Sequence, residues 1–174
     1  MRLWYLFAAE LRKTVTLPAV WAGAGVALLG STVITLLNAF GVRAALEAGQ
    51  PSRVAFTSPF EAAFAAMPIG VVGAVVVGVV AMSSEYTANS TDVGGGRQIS
   101  ATLTATPRRA RVLVTKAIAV ALSVGAVTAV TMPVTIGVAR AVIGDAGAET
   151  VTLGEAVTRC LGGTLYSTLM GLIA

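Results

Sequence analysis

"TVTLPAVWAGAGVALLGSTVITLLNAFGV", residues 14–42, runs for 29 residues without a charge. A Lys, Arg or Asp at the centre of a membrane-spanning helix costs roughly 2.5 to 3.5 kcal/mol on insertion scales, so long gaps between charges are informative. Two more such gaps follow, residues 62–84 and 117–139, each of 23 residues. A hydrocarbon core of about 30 Å needs about 20 helical residues at ~1.5 Å each, and all three gaps suffice. A fourth apolar stretch, residues 156–174, is interrupted only by Arg159 near its start, where a long side chain can reach the headgroups. The first gap is about twice as long as the ~7 to 15 residues of a signal-peptide core, and no small-residue cleavage site follows it. It reads as a retained helix.

Composition agrees. Of 174 residues, 56% are hydrophobic and 11% charged, with a mean hydropathy of +0.84, where an average soluble domain is about 25% charged. Aromatic residues are scarce, and the apolar mass is Ala, Val, Leu and 19 glycines, a mixture suited to helices that approach closely in lipid. Cys160 is the sole cysteine, so no internal disulfide can form, and there is no histidine. That removes the commonest metal ligand and the usual general base. No catalytic residue, metal or cofactor is expected. The expected fold is all-α: one transmembrane domain over residues 1–174, with spans at 18–40, 64–83, 117–139 and 156–174.

Basic residues in short loops beside spans mark the cytoplasmic side. An even number of crossings places the N-terminal segment and the loop after span two together. That side carries Arg2, Arg12, Lys13, Arg97, Arg108, Arg109, Arg111 and Lys116 against only Glu10, Glu85 and Asp92. The other side carries Arg43, Arg53, Arg140 and Arg159 against Glu47, Glu61, Asp145, Glu149 and Glu155. The imbalance predicts a cytoplasmic N terminus and a cytoplasmic loop over 84–116. Residues 1–16 set Leu3, Leu6, Phe7 and Leu11 at helical spacing with bases at both ends. They predict a helix lying in the inner interface against anionic lipid, or else a cytoplasmic extension of span one.

The outer segment 41–60, with Pro51 and Pro59, is too polar for lipid and predicts a short connector. In span two, Pro68 falls in the first turns, where a missing N–H is tolerated, and Gly70, Ala74 and Gly78 form a small-residue stripe for helix packing. In span three, Pro133 removes the bond to the carbonyl of Ala129 and predicts a kink. Mild polar rows run along three spans: Ser31, Thr35 and Asn38; Thr128, Thr131 and Thr135; and Thr164 with Ser167 or Thr168. The first two rows are candidates for a substrate path. Small hydroxyls in membrane helices also bond to their own backbone or to a neighbouring helix.

The inner loop contains GGGRQISATLTATPRRARVLVTK, residues 94–116, with five of the twelve basic residues. Three glycines interrupt any helix. Residues 97–106 then predict a short helix with Ile99 and Leu103 on one side, ended by Pro107. No Gly-Lys-Ser/Thr follows the glycines, which excludes a phosphate-binding loop. The small basic cluster abuts a span and lacks interleaved aromatics, which argues against nucleic acid. Asn89-Ser90-Thr91 fits a glycosylation sequon but falls on the inner side. Fixing topology and binding lipid accounts for the bases, but not for the apolar-faced helix ahead of them.

The order Glu85-Tyr86 at the end of span two, an Arg-containing short helix, Ala-Thr-Pro-Arg-Arg at 105–109 and Lys116 opening span three resembles the inner loop of type-2 ABC exporter permeases. AELRK, residues 9–13, is similar to their N-terminal elbow, and GGGRQISATL resembles a subset found in actinobacterial permeases. The resemblance is specific over 85–116 and loose elsewhere. It implies a permease subunit of the bacterial cytoplasmic membrane without ATPase activity, paired with a second permease copy as a homo- or heterodimer and served by ATP-binding subunits. The helix over 97–106 would be the coupling helix, with Ile99 and Leu103 as apolar contacts. Glu85 would hold the loop's base. Arg97, Arg108, Arg109 and Arg111 would meet acidic or lipid partners, with Tyr86, Gln98 and Pro107 completing the docking segment. Members of the class have six spans, so a chain stopping at LYSTLMGLIA is expected to be truncated. The rival readings are a non-transporting anchor or regulatory protein that recruits a cytoplasmic partner, and a channel or intramembrane enzyme. The second lacks the ionisable groups within spans that such proteins use.

Overall fold

The computed structural model describes residues 3–83, 109–148 and 151–174. The coupling helix expected over 97–106 lies outside the described residues, which are helical with no strand among them. Helix α1 is Leu3–Thr16. It stops because Pro18 forces Leu17 into extended backbone, φ −76° and ψ 120°. Helix α2 (Pro18–Gly25) passes through a π-helical turn, Val26–Gly30, into α3 (Ser31–Glu47). These form one 30-residue stretch, Pro18–Glu47, longer than the 18–40 expected.

Gly41 does not end that helix. Val42 and Ala45 are buried beyond it, and Arg43 pairs with Glu47 one turn on, Nε to Oε1 at 2.7 Å. The stop comes at Gly49, φ +66°, where Gly49 N–H donates to Leu46 and Gln50 N–H to Ala45, a Schellman ending that only glycine adopts without strain. A single 3-10 turn, Pro51–Arg53, precedes α4 (Pro59–Phe64), and α5 is Met67–Ser83. The break between α4 and α5 follows from Pro68, which cannot donate to the carbonyl of Phe64. Helix α6, Arg109–Ile143, has 35 residues and continues through Pro133. At ~1.5 Å per residue it is about 52 Å long, well beyond a bilayer core. Helix α7 is Leu153–Ile173.

Pro18–Glu47, Pro59–Ser83 and Leu113–Ala146 are long and apolar enough to cross a membrane. With Glu155, Arg159 and many Gly, Thr and Ser residues, α7 falls short of the same apolarity. The large apolar side chains point outward: Leu29, Val33, Leu37 and Phe40 on one face of Pro18–Glu47, and Leu161 and Leu165 on α7, are each more than half exposed in the bundle or close to it. Such a surface suits hydrocarbon. The interior is built of small residues in three layers. Val20, Ala74, Val77, Ala81, Val120 and Val124 fill the end where α5 finishes. Ala39, Val42, Ala62, Ala63, Ala139 and Ile143 fill the opposite end. Hydroxyl groups lie between.

Lipid tails are as apolar as Leu, so helices in a bilayer are held by close packing rather than by escape from water. Glycines supply that closeness at two heights of α5. A Cβ at Gly73 would stand 2.5 Å from the Gly23 carbonyl oxygen, and one at Gly78 would collide with the backbone of Gly171. Gly78→Val is therefore expected to lower stability by at least about 1–3 kcal/mol, the usual cost of overpacking. Gly25→Ala, where a Cβ meets nothing within 4 Å, should be neutral or gain up to about 1 kcal/mol in helix propensity. Thermal unfolding of the detergent-purified chain measures both.

Helix α7 starts on a capping box. Thr152 Oγ1 accepts from Glu155 N–H, and the Glu155 carboxylate accepts from Thr152 N–H at 3.0 Å. The Thr152 N–H, then the Thr152 hydroxyl and Arg159, hold the Glu155 carboxyl below its ordinary range. Because its folded pKa lies below the unfolded value, the cap's contribution is complete at neutral pH and is lost as pH falls through the folded pKa. Amide exchange in the first turn of α7 should accelerate over that acidic window, and Glu155→Gln should remove the pH dependence.

Candidate functional site

The described part of the site begins where α5 ends and α6 starts, the two helices that bracket residues 84–108. The last carbonyls of a helix have no partner of their own, and the C-terminus attracts positive charge. Lys116, 5% exposed, reaches across from α6 and donates from Nζ to the Ala81 carbonyl at 2.9 Å. Lys116 thus ties together the two helices that flank residues 84–108. In the sequence Lys116 reads as one more interfacial base. Its position, seven residues inside α6, was the signal that it could be buried.

The other residues expected to dock a partner, Glu85, Tyr86, Arg97, Gln98, Ile99, Leu103, Pro107 and Arg108, lie outside the described residues. Arg109 and Arg111 fall in the first turn of α6.

Of the six residues expected along a path, four meet at one place. Ser31, Thr128, Thr131 and Thr135 line a cavity of about 30 Å³ in the middle layer, joined by Ser167 of α7. That is room for about one water molecule. The three threonine hydroxyls each donate to their own helix: Thr128 to the Val124 carbonyl at 2.9 Å, Thr131 to Val127 at 2.8 Å and Thr135 to Thr131 at 3.1 Å. Their protons are committed, so lone pairs remain to face the interior. Ser31 Oγ and Thr35 Oγ1 are buried without a hydrogen-bonding partner among the described residues, which costs about 1–3 kcal/mol for each such group. The cavity therefore suits a small group that both donates and accepts. Thr35 is buried beside it without lining it.

Asn38 does different work. Its Nδ2 donates to the Ala62 carbonyl at 3.2 Å, a carbonyl freed by the break before Pro68, so it closes a helix end instead of facing a path. Sequence reasoning missed the apolar walls, Met67 and Met132. Both methyl groups sit over Gly163 of α7, where a Cβ would lie 3.2 and 3.3 Å from them. A glycine within a polar row was the available clue. Among the described residues no group of His, Cys, Asp and Glu could hold a metal ion.

No protein-family model, curated protein or solved structure matches this chain. Its function is therefore read from its own residues. Lys116→Met keeps the alkyl stem and removes the donor to the Ala81 carbonyl. It should destabilise the chain by about 1–3 kcal/mol, with amide exchange rising first at the end of α5 and the start of α6.

Proposed function

We propose that the chain is the permease subunit of a type-2 ATP-binding cassette exporter, moving a small amphiphilic substrate across the bacterial cytoplasmic membrane by alternating access. A separate ATPase subunit supplies the energy, and a second permease copy completes the transporter. In this reading residues 156–174, most of them in α7, are the fourth span, the N terminus is cytoplasmic with α1 in the inner interface, and residues 97–106 form the coupling helix.

The observation that carries the reading is the Lys116 to Ala81 bond, taken with the motif order over 85–116. A loop that a nucleotide-driven partner pushes must pass its displacement to the membrane helices. Here its two ends are tied, so α5 and α6 receive the push together. Helix α6 carries it past Pro133 to Val142, whose carbonyl accepts from Arg43 Nη1 of α3 at 3.1 Å. ATP binding then favours one of two packings of the bundle, and hydrolysis releases it. The excess of bases beside the loop supports the assigned orientation.

Leu103→Asp puts a charge on the apolar face of the coupling helix. Co-purification of a cognate ATP-binding subunit, expected to be encoded by a neighbouring gene, should fall roughly tenfold or more, since burying an unpaired carboxylate costs several kcal/mol. Leu37→Ala, on a face turned away from the bundle, should leave recovery unchanged. Equal recovery with Leu103→Asp and wild type would remove the docking claim.

A further inference from the structure

Ser31 Oγ lines the cavity of the middle layer, in a residue only 3% exposed, and has no hydrogen-bonding partner among the described residues. The backbone ahead of it sets its place. Gly23, Ala27, Ser31, Thr35 and Ala39 are all buried, in steps of four. Along a straight α-helix each such step overshoots a full turn by about 40°, so the row would wind off its face. The π-helical turn Val26–Gly30 lies within the row, and its wider turn takes up the drift. Ser31, directly after it, is thereby held inward.

The other polar groups around the cavity are short of protons. Thr128, Thr131 and Thr135 each spend theirs on a carbonyl of α6 itself, so they offer only lone pairs. Ser167 adds a hydroxyl from α7. The volume of about 30 Å³ exceeds the ~10–15 Å³ that one water needs, and a buried water is held by two to four polar partners. None of the described lining residues is charged, so an ion would stay uncompensated at a cost far above that of a neutral molecule. An apolar occupant would leave Ser31 as unpaired as before.

We propose that the middle layer binds one water molecule. The Ser31 hydroxyl donates to its oxygen, and its hydrogens go to threonine oxygens of α6. The water joins α3 to α6 where the threonine protons stay on their own helix. This site needs no ATPase and no cargo, so it stands or falls apart from the permease reading.

Alanine methyl groups report the water without an exchangeable proton of their own. Ala27 and Ala63 line the cavity, whereas Ala39 and Ala62 are fully buried and do not. The full chain, labelled at alanine methyls, is reconstituted in phosphatidylcholine vesicles, and magnetisation transfer from water is followed by solid-state NMR. Ala27 and Ala63 should receive it several-fold faster than Ala39 and Ala62. A Cβ at Gly70, which also lines the cavity, would stand 3.5 Å from Ser31 Oγ, an ordinary contact, and would meet no other heavy atom within 4 Å beyond its own stretch of helix. Gly70→Ala, a change that favours the helix, should therefore bring Ala27 and Ala63 down to the rate of Ala39 with every threonine hydroxyl still in place. Ser31→Ala removes the donor and should slow transfer to Ala63 as well. Equal rates at all four methyls in wild type would overturn the proposal, since the cavity would be dry. Unchanged transfer in either variant would also overturn it, tracing the signal to exchanging hydroxyls. So would methyl shifts at Ala27 and Ala63 that move when sodium chloride replaces choline chloride, the mark of a cation site.

Discussion

A backbone carbonyl left unpaired in hydrocarbon costs several kcal/mol, and four side chains of this fold donate to backbone carbonyls near breaks or ends of the described helices. Trp21 Nε1 donates to Val15 where α1 gives way to α2, at 2.8 Å. Asn38 does so at the break between α4 and α5, Arg43 at the end of α6 and Lys116 at the end of α5. In each case the donor comes from a different turn or a different helix. The same bond that satisfies a carbonyl therefore also fixes how two elements sit. Two of the four use a formal charge, which the C-terminal end of a helix dipole favours.

Between these bonds the interior is layered. Small apolar residues pack at both extremes of the bundle, and the middle is furnished with hydroxyls whose protons are mostly bound to their own helices. Ser31 and Thr35 are the exceptions, and Ser31 follows directly on the π-helical turn of Val26–Gly30. Such turns recur at functional sites. The least satisfied polar groups, the irregular turn and Pro133 all fall in the middle third of the bundle, away from the two tightly packed layers.

The helical class and three helices long and apolar enough to cross a membrane were legible because charge is excluded from hydrocarbon, and its absence can be counted along a sequence. Helix ends were less so. The connector expected from residue 41 onward stays helical to Glu47, where burial of Val42 and Ala45 and the Arg43 to Glu47 pair outweigh one glycine. Pro68 looked tolerable near a helix start, yet its effect falls on Phe64, in what becomes a separate helix. Long-range partners were the least legible: nothing near Asn38 announces Ala62, and nothing near Lys116 announces Ala81. The threonine row was readable as a row, whereas its convergence with Ser31 and Ser167 depends on how three helices are turned.

Gly73 and Gly78 stand five residues apart, roughly 140° around α5, and each lies against the backbone of a different neighbour, α2 for one and α7 for the other. A shaft keyed on two sides can neither spin nor slide. Helices α2, α5 and α7 are accordingly keyed to one another by main-chain approach, whereas α6 joins them through side chains, Val120 and Val124 in the apolar layer and Lys116 at the Ala81 carbonyl.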